Sequence, residues 1–286
     1  MPELPEVEAL ASFLQAKAAG RLVARADLAS LSALKTYDPA WSGLVGARVC
    51  SVERRGKYLC ANLEGFWLVV HLARAGWLHW RDHLPDAAVK MSKGPLAARI
   101  GFEGGDGFDI TEQGTEKRVA LWLVPAPEHV PGVARLGPDP LGGDFDPPTL
   151  GRILRSGGGQ LKAALSDQSL IAGVGNAYSD EALHAARLSP FKPAAKLTDE
   201  EVARLHAALV GVISAAVERS KGLDARSLKS DKKSSMAVHA RTGLACPACG
   251  DKIREVSYAT KTFQYCPTCQ TGGKVLADRR LSRLLK

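Results

Sequence analysis

The first six residues of the chain, Met-Pro-Glu-Leu-Pro-Glu, place a proline where amine chemistry could begin. A small second residue normally permits removal of Met1, which would leave Pro2 with a free secondary amine. Such an amine can attack carbon and leave an iminium, as a lysine does in Schiff-base chemistry. Because α-amino groups titrate near pH ~8, much of this amine would be close to neutral at physiological pH. Glu3 and Glu6 stand beside it as candidate acids or bases.

The same residues are also those of an ordinary helix start. Apolar residues recur at helical spacing from Leu4 to Leu14, and Gly20 predicts the end of the helix. Proline at a helix start and glutamate in its first turn are common capping chemistry, and alone they favour that interpretation. The helix would also place Pro2 at its positive end, which disfavours protonation of the amine.

The chain as a whole has the composition of a basic globular protein. Its 286 residues are 45% hydrophobic and 24% charged, with a net charge of +8, and this length can form two domains. Residues 221–286 hold 14 Lys/Arg against 5 Asp/Glu, a net +9, which indicates a nucleic-acid partner or a solubilising tail. There is no apolar run that could span a bilayer and no signal peptide, so we expect a cytoplasmic protein.

Short apolar and β-branched runs over residues 44–124 predict strands of a sandwich or barrel, with a hairpin turn at 104–107. Lys57 lies at one turn, where it could reach a phosphate or face water. Cys50 and Cys60 stand in strand-like runs and are predicted to be small core residues.

A stretch rich in proline and glycine separates these strands from a helical region over 149–221. Within that region Gly-Val-Gly-Asn, ending at Asn176, predicts a tight turn in which Asn176 caps the helix that begins at Ala177. Such a turn can present N–H groups to a phosphate or can simply join two helices. A capping box at Thr198 opens the last helix, and the basic residues 222–240 predict a mobile loop.

Four cysteines form two Cys-x-x-Cys pairs separated by sixteen residues, a strong signal for one structural, tetrahedral Zn²⁺ on a β-hairpin. The predicted ligands are Cys246, Cys249, Cys266 and Cys269. A disulfide arrangement is the disfavoured alternative, and His239 is expected to be a bystander because four ligands are already present. Lys261 lies between the pairs, where it could contact phosphate.

Together these segments resemble the formamidopyrimidine-DNA glycosylase / endonuclease VIII family of base-excision repair enzymes, from residue 2 to about residue 270. The motifs that carry the resemblance are Pro-Glu-Leu-Pro-Glu-Val-Glu at the start, Arg-Gly-Lys-Tyr around Lys57, His71-Leu72, Asp167-Gln168, Gly173 to Tyr178, and the four-cysteine finger. Their order and spacing make a chance match improbable.

The resemblance implies an α+β multidomain fold, in which an N-terminal β-sandwich carries the catalytic N-terminal helix. A helix-two-turn-helix domain and a C-terminal four-cysteine zinc-finger β-hairpin follow, and DNA is expected between the domains. The predicted divisions are 1–130 for the helix and sandwich, 131–148 for the linker, 149–240 for the helix-two-turn-helix domain, 241–270 for the finger and 271–286 for a basic tail. The expected partner is double-stranded DNA with a damaged base or abasic site, bound by a monomer in the cytoplasm, at the nucleoid.

The resemblance also implies a reaction. Pro2 attacks C1′ of a flipped-out damaged nucleotide, the base leaves, and a Schiff base forms with the opened sugar. Proton abstraction then eliminates both flanking phosphates, a β,δ-elimination in which Glu3 shuttles the proton on the sugar and Glu6 assists. The positions that match phosphate-gripping residues are Lys57, His71, Asn176 and Lys261. The resemblance places Lys57 with Pro2, Glu3 and Glu6 among the catalytic residues, and Arg74 among the DNA-binding residues.

Several departures from the family pattern leave the preferred lesion open. Arg74 stands where the family has a methionine that fills the space left by the flipped base, and residues 111–118 replace the loop that probes the opposite base. Lys261 replaces an arginine, and the loop over an oxidised purine is short at 222–235. The alternative function is a non-catalytic damaged-DNA or abasic-site binding protein. A metal-dependent nuclease is disfavoured because no carboxylate cluster suits Mg²⁺.

Overall fold

The structure, a computed structural model, describes residues 1–91, 94–258 and 261–277. The chain forms two compact units. The first comprises Met1–Arg135 and Ser220–Lys229, and the second comprises Leu136–Arg219 and the chain from Ser230 onward. None of the helices in these described ranges has the length and apolar composition that crossing a bilayer requires.

The first unit begins with helix α1, Leu4–Ala18. Its apolar stripe is buried because Leu4, Val7 and Leu10 are each fully inaccessible to solvent. The helix ends where the sequence predicts, since Gly20 adopts the left-handed conformation (φ +81°) that favours glycine. A fifteen-residue helix with a buried stripe gives the N-terminal residues a rigid base.

Two four-stranded antiparallel sheets follow and form the predicted β-sandwich. The strands are β1 (Val23–Leu28), β2 (Val49–Arg55), β3 (Tyr58–Leu63), β4 (Phe66–His71), β5 (Gly76–Arg81), β6 (Leu96–Phe102), β7 (Gly107–Glu112) and β8 (Ala120–Val124). One sheet has the order β1-β6-β7-β5 and the other β2-β3-β4-β8. The hairpin between β6 and β7 lies at the predicted turn, whereas β1 was not predicted. A short helix α2, Pro131–Ala134, ends the run.

The two strand cysteines have different environments. Cys60 is fully buried on β3, as predicted. Cys50 is exposed, so its prediction as a core residue is wrong. The register between β2 and β3 shifts between Val49 and Ser51, so Cys50 lies at an irregularity of the ladder. Such an irregularity changes the face on which a side chain lies, and simple alternation along the strand does not reveal it.

The segment 220–229 packs into the core of the first unit, although the sequence assigned it to the helical domain. The Trp77 indole Nε1 donates a hydrogen bond to the Ala225 carbonyl at 2.7 Å. Ala225 and Leu228 are buried in the same apolar cluster as Trp77, and the Lys229 ammonium lies 4.4 Å from the centre of its ring. Helix α7, Leu228–Ser235, therefore stands where a mobile loop was predicted. The burial of two apolar side chains explains why this polar segment is ordered.

The second unit contains the helices predicted over 149–221 and the hairpin predicted between the cysteine pairs. Its elements are α3 (Pro147–Gly157), α4 (Leu161–Ser166), α5 (Asn176–Ala185), α6 (Asp199–Ser220), β9 (Arg254–Tyr258), β10 (Lys261–Tyr265) and α8 (Pro267–Thr271). The capping box is present, because Thr198 N donates to Glu201 Oε2 at 3.0 Å and Glu201 N to Thr198 Oγ1 at 3.2 Å. Strands β9 and β10 pair in antiparallel register.

Candidate functional site

Pro2 is buried immediately before helix α1. Glu3 caps the helix and forms a reciprocal capping box with Glu6, in which Glu3 N donates to Glu6 Oε2 at 2.8 Å. Both carboxyl side chains are 2% exposed. Capping and chemistry are therefore not exclusive here. The hydrogen bonds that cap the N-terminus of the helix also hold two acidic groups next to Pro2, at the positive end of the helix dipole.

Lys57 lies in the tight turn between β2 and β3. Gly56 makes this turn possible because its φ is +55°. Lys57 is only 7% exposed, so the alternative that it simply faces water is wrong. The strand before the turn is tied to α1, since Arg54 Nε donates to Glu8 Oε2 at 2.7 Å. This ion pair links the strand that leads to Lys57 to the helix that follows Pro2.

His71 ends strand β4 and pairs with Tyr58, the residue after Lys57. The Tyr58 and His71 rings lie 4.8 Å apart. Burial, with a smaller effect of the Lys57 charge, lowers the pKa of His71 to about 4. His71 is therefore neutral near pH 7 and would offer an anion an N–H group, while Lys57 supplies the positive charge. The fold brings these two predicted residues together.

The low pKa of His71 predicts a pH-dependent stability. Between the unfolded value of 6.5 and about 4, the unfolded chain binds a proton that the native protein does not. The free energy of unfolding should therefore fall as the pH drops through this window, by at most ~3 kcal/mol from this group. His71→Gln should lose less stability than the wild type over the same range. Urea unfolding followed by tryptophan fluorescence tests this, because all five tryptophans lie in the first unit. If the free energy of unfolding changed with pH in the same way for the two proteins, the prediction would be contradicted.

Arg74 lies in the turn between β4 and β5. Ala73 has a φ of +52°, and a Cβ on Gly76 would lie 2.1 Å from the Leu72 carbonyl oxygen, so the turn is tightly constrained. Arg74 itself is exposed. Its guanidinium has no hydrogen bond or ion pair with other described residues, so a rigid turn carries a cation that is available to a ligand.

The chain between β7 and β8 forms a small exposed loop over residues 113–118. The buried Glu112 carboxylate closes it by accepting hydrogen bonds from Arg118 N at 2.7 Å and Val119 N at 2.9 Å. This loop is the segment that the sequence analysis compared with the opposite-base loop of the resembled family. Its tip has the sequence Gln-Gly-Thr-Glu-Lys-Arg, which contains no aromatic or apolar wedge.

Asn176 is the first residue of α5, and Gly175 is its N-cap. The predicted cap by the Asn176 side chain is therefore wrong. Its Nδ2 instead donates to the Thr262 carbonyl on β10 at 2.6 Å. The turn before the helix is held by Gln168, which accepts from Gly173 N at 3.0 Å and donates to the Val174 carbonyl at 2.6 Å. Gln168 of the Asp-Gln motif thus shapes the glycine turn.

The four predicted metal ligands form one cluster, in which all four sulfurs lie within 4.8 Å of one another. Cys246 Sγ is 3.8 Å from Cys269 Sγ, and Cys249 Sγ is 3.4 Å from Cys266 Sγ. A disulfide needs ~2.05 Å, and sulfurs at ~2.3 Å from one tetrahedral ion lie nearly 4 Å apart. All four cysteines are free. The geometry fits a metal ion and excludes the disulfide alternative.

The electrostatics of the cluster also suit a cation. Burial, together with the neighbouring sulfurs, raises the pKa of Cys266 to about 11 and also raises the pKa of Cys269. At Cys246 hydrogen bonds outweigh burial and lower the pKa, and hydrogen bonds lower the pKa of Cys249 as well. Four thiolates could not be crowded together without a cation among them. His239 is not in the cluster, as expected, since its Nδ1 lies 2.7 Å from Asp180 Oδ2.

Lys261 is the first residue of β10 and pairs with Tyr258 of β9. Its side chain is outside what the structure describes. The arginines and the final lysine of the predicted basic tail, at 279, 280, 283 and 286, also lie outside the described residues.

Sequence reasoning missed several polar residues of α5 that contact the finger. Asp180, Glu181 and His184 are all buried, and each has a partner in the segment that leads into the finger or in its first ligand. The available signal was the spacing of Asn176, Asp180 and His184 at every fourth position, which places them on one face of the helix.

Comparison with known proteins extends over most of the chain. The family model for the formamidopyrimidine-DNA glycosylase N-terminal domain matches residues 1–113, and the model for the H2TH domain of the same enzymes matches residues 136–227. The formamidopyrimidine-DNA glycosylase of Symbiobacterium thermophilum is 37% identical over 98% of this chain and 93% of its own length. An uncharacterized formamidopyrimidine-DNA glycosylase-like protein of Mycobacterium tuberculosis is 57% identical, over 53% of this chain and 94% of its own.

Solved structures have the same fold. The crystal structure of the MutM (Fpg) protein from Thermus thermophilus superposes with a TM-score of 0.80 and is 33% identical, covering 96% of this chain and all of that one. Lactococcus lactis Fpg, non-covalently bound to DNA containing an abasic site, has a TM-score of 0.81 at 25% identity, covering 94% of this chain and 99% of that one.

Proposed function

Because this chain belongs to the formamidopyrimidine-DNA glycosylase family, we propose that it is a base-excision repair glycosylase with abasic-site lyase activity. Its substrate is double-stranded DNA with an oxidised base or an abasic site. The observation that carries the proposal is the placement of Pro2 at the start of α1, beside the buried carboxyl groups of Glu3 and Glu6. An enzyme with this substrate works where the DNA is, in the cytoplasm at the nucleoid, and we propose that it acts as a monomer.

Pro2 is the nucleophile of the proposed reaction. After removal of Met1, its nitrogen lone pair forms a bond to C1′ while the bond from C1′ to the base breaks, and the departing base takes up a proton. The nitrogen loses its own proton, the sugar ring opens, and an iminium remains. Glu3 delivers the proton that the opened ring oxygen needs. Removal of sugar protons then eliminates the 3′ and 5′ phosphates in turn. Glu6 acts through its hydrogen bond to Glu3 N, which fixes the backbone beside Pro2.

Positive charge and N–H groups hold the DNA backbone in this proposal. We assign phosphate contacts to Lys57 and His71 in the first unit and to Asn176 and Lys261 in the second. Support comes from the buried residue Lys57, whose charge acts on the neutral ring of His71, and from the position of Asn176 at the positive end of α5.

The metal of the cysteine cluster is proposed to be Zn²⁺. Four thiolates with tetrahedral spacing form a closed site, which suits zinc and leaves no open position for a substrate. Zinc therefore stabilises the hairpin that carries Lys261 and takes no part in the reaction.

Covalent trapping tests the function. Borohydride reduction in the presence of abasic-site DNA should cross-link the protein to the DNA, and strand cleavage should persist in EDTA. A panel of duplexes with oxidised purines and oxidised pyrimidines then gives the lesion preference. Tight binding to abasic DNA without any adduct would instead establish the alternative, a binding protein on the same scaffold. Cleavage abolished by brief EDTA treatment, with zinc still bound, would indicate a metal-dependent nuclease.

Arg74 is expected to fill the space left by the flipped base. Its exposed guanidinium on a rigid turn can stack on neighbouring bases and bond to their edges. One stacked base is worth ~1–3 kcal/mol, so Arg74→Ala should slow the excision of intact damaged bases by about 10- to 100-fold. Cleavage at pre-formed abasic sites should change much less, because no base must be displaced there.

Single-turnover rates on the two substrates separate this role from a simple phosphate contact. A phosphate contact would reduce both rates alike. It would also make the plot of log binding constant against log salt concentration less steep, by about the contribution of one phosphate contact. Arg48→Ala is a suitable control, since Arg48 is an exposed arginine of the same unit that pairs with Glu64. Equal losses on both substrates for Arg74→Ala would exclude the wedge.

A further inference from the structure

Helix α5 buries four polar or charged side chains. Ser179, Asp180, Glu181 and His184 are each at most 8% exposed. Burying such groups is costly unless each one has a partner. All four have partners, and those of Asp180, Glu181 and His184 include the segment that leads into the metal cluster or one of its cysteines.

One face of α5 contacts the finger at three places. Asn176 Nδ2 donates to the Thr262 carbonyl of β10 at 2.6 Å. One helical turn later, Asp180 Oδ2 lies 2.7 Å from His239 Nδ1 and accepts from Gln264 N at 3.3 Å. After another turn, His184 Nε2 lies 3.2 Å from Cys246 Sγ. The spacing of four residues places these side chains in a row.

Glu181 adds a fourth attachment beside this row. Its carboxylate accepts hydrogen bonds from three successive backbone N–H groups, those of Ala237, Val238 and His239, at 2.7, 2.9 and 2.8 Å. Successive N–H groups that converge on one carboxylate form an anion-binding turn. The chain that leads into the finger is therefore fixed to α5 through its backbone.

Lys162 joins the same network to the start of the helix. Its ammonium donates to Asp180 Oδ1 at 2.5 Å, to Ser179 Oγ at 2.8 Å and to the Asn176 carbonyl at 2.6 Å. Asn176 is thus held through its backbone by Lys162 and through its side chain by β10. Lys162 and Asp180 are both buried, so removing one partner leaves an uncompensated charge.

The contact between His184 and Cys246 reaches the metal centre itself. A metal-bound cysteine is a thiolate, and an imidazole Nε2 at 3.2 Å is within reach to donate a hydrogen bond to it. Groups that bond to metal ligands in this way orient them, and their loss costs about 10- to 100-fold in metal affinity. His184 would thus be a fifth residue of a four-ligand site.

We propose that Asp180 and His184 are positioning residues that lock the metal-bearing hairpin onto the helix that begins at Asn176. The occupied metal centre then fixes Asn176 and strand β10 in one arrangement, and this arrangement is the one that binds DNA phosphates. The inference rests on the proposed function for its DNA-binding consequence, but its metal-binding consequence is independent of any DNA.

Metal release tests the role of His184 without DNA. Zinc-loaded protein is mixed with a chromophoric chelator, and the release rate is recorded. His184→Leu should release zinc about tenfold faster or more, whereas His184→Gln, which keeps an N–H donor, should fall between it and the wild type. A wild-type rate for His184→Leu would overturn the proposal, and so would equal acceleration in both variants.

DNA binding tests Asp180. Affinity is measured for a duplex with an uncleavable tetrahydrofuran site over a range of salt concentrations. Asp180→Asn should bind about tenfold more weakly, with a salt slope reduced by about one phosphate. Glu201→Gln is the matched control, because it removes one negative charge from the Lys192 ion pair in the same unit. That variant should bind like the wild type. His239→Gln, at a less buried position, should repeat the Asp180 effect if Asp180→Asn does not fold.

A double-mutant cycle distinguishes positioning from general destabilisation. If Asp180 acts through Asn176, then Asn176→Ala should weaken DNA binding in the wild type but add little in the Asp180→Asn protein. Additive losses would overturn the proposal. Failure of the wild type to bind or trap DNA would instead refute the proposed function, and the metal-release result would still decide the role of His184.

Discussion

Protein that retains Met1 is expected to bind abasic-site DNA but to form no covalent adduct with it on borohydride reduction. Only a free secondary amine can form the iminium, and Met1 converts the Pro2 nitrogen into an amide that has no nucleophilic lone pair. The loss of trapping and strand cleavage should be at least about 10⁴-fold, because removing a covalent nucleophile can disable the whole mechanism. Binding should change little, since the proposed phosphate contacts are made by other residues.

The two forms of the protein that are compared come from the same gene and differ only in whether Met1 is present. Fractions that retain or lack Met1 are distinguished by mass spectrometry, and methionine aminopeptidase treatment of the retained fraction should restore trapping. Glu3→Gln in processed protein is a useful second variant. It should still bind abasic DNA but react about 10²- to 10⁴-fold more slowly, as expected for the loss of a general acid. Trapping by protein that fully retains Met1 would show that another amine is the nucleophile.

Cys249→Ser is expected to remove the metal and to weaken DNA binding by at least about tenfold. Structural zinc contributes to folding directly, with apparent binding free energies of ~10–16 kcal/mol in zinc-finger peptides. Losing one of four thiolates should therefore unfold the hairpin that carries Lys261. The sandwich of the first unit has its own apolar core, so it should remain folded.

The measurements are zinc content, affinity for abasic-site DNA and tryptophan fluorescence, which reports on the first unit alone. Cys50→Ser is the matched control, because Cys50 is an exposed cysteine far outside the metal cluster in sequence. It should keep full zinc and full affinity. A Cys249→Ser protein with one zinc per chain would contradict the four-thiolate site.

The sequence alone determined those features that depend on residues close together along the chain. Two Cys-x-x-Cys pairs specify a metal site because each pair places two sulfurs within reach of one ion. The helix start at Leu4, its end near Gly20 and the capping box at Thr198 likewise depend on residues a few positions apart. The sandwich followed from short strands separated by turns, and the family motifs extended these local features to a function.

The tertiary structure decided what depends on partners distant along the chain. Cys50 is exposed because the ladder to β3 is irregular at that residue, which the β2 sequence alone does not reveal. Asn176 donates to Thr262, 86 positions away, and so it does not cap its own helix. Segment 220–229 is polar in sequence, yet Ala225 and Leu228 are buried in the apolar cluster of the first unit, where Trp77 Nε1 donates a hydrogen bond to the Ala225 carbonyl.

The buried polar side chains of α5 show most clearly that contacts between distant segments cannot be predicted from the sequence. Aspartate is usually found at the surface of proteins, and only the fold reveals that Asp180 lies between Lys162 and His239. Buried charges are tolerated where partners converge from several segments, and that convergence is a property of the packed chain. The sequence by itself therefore determined the ligands and the candidate nucleophile. Only the tertiary structure decided which residues hold them in place, because the spacing of side chains along one helix does not identify the distant residues with which they pair.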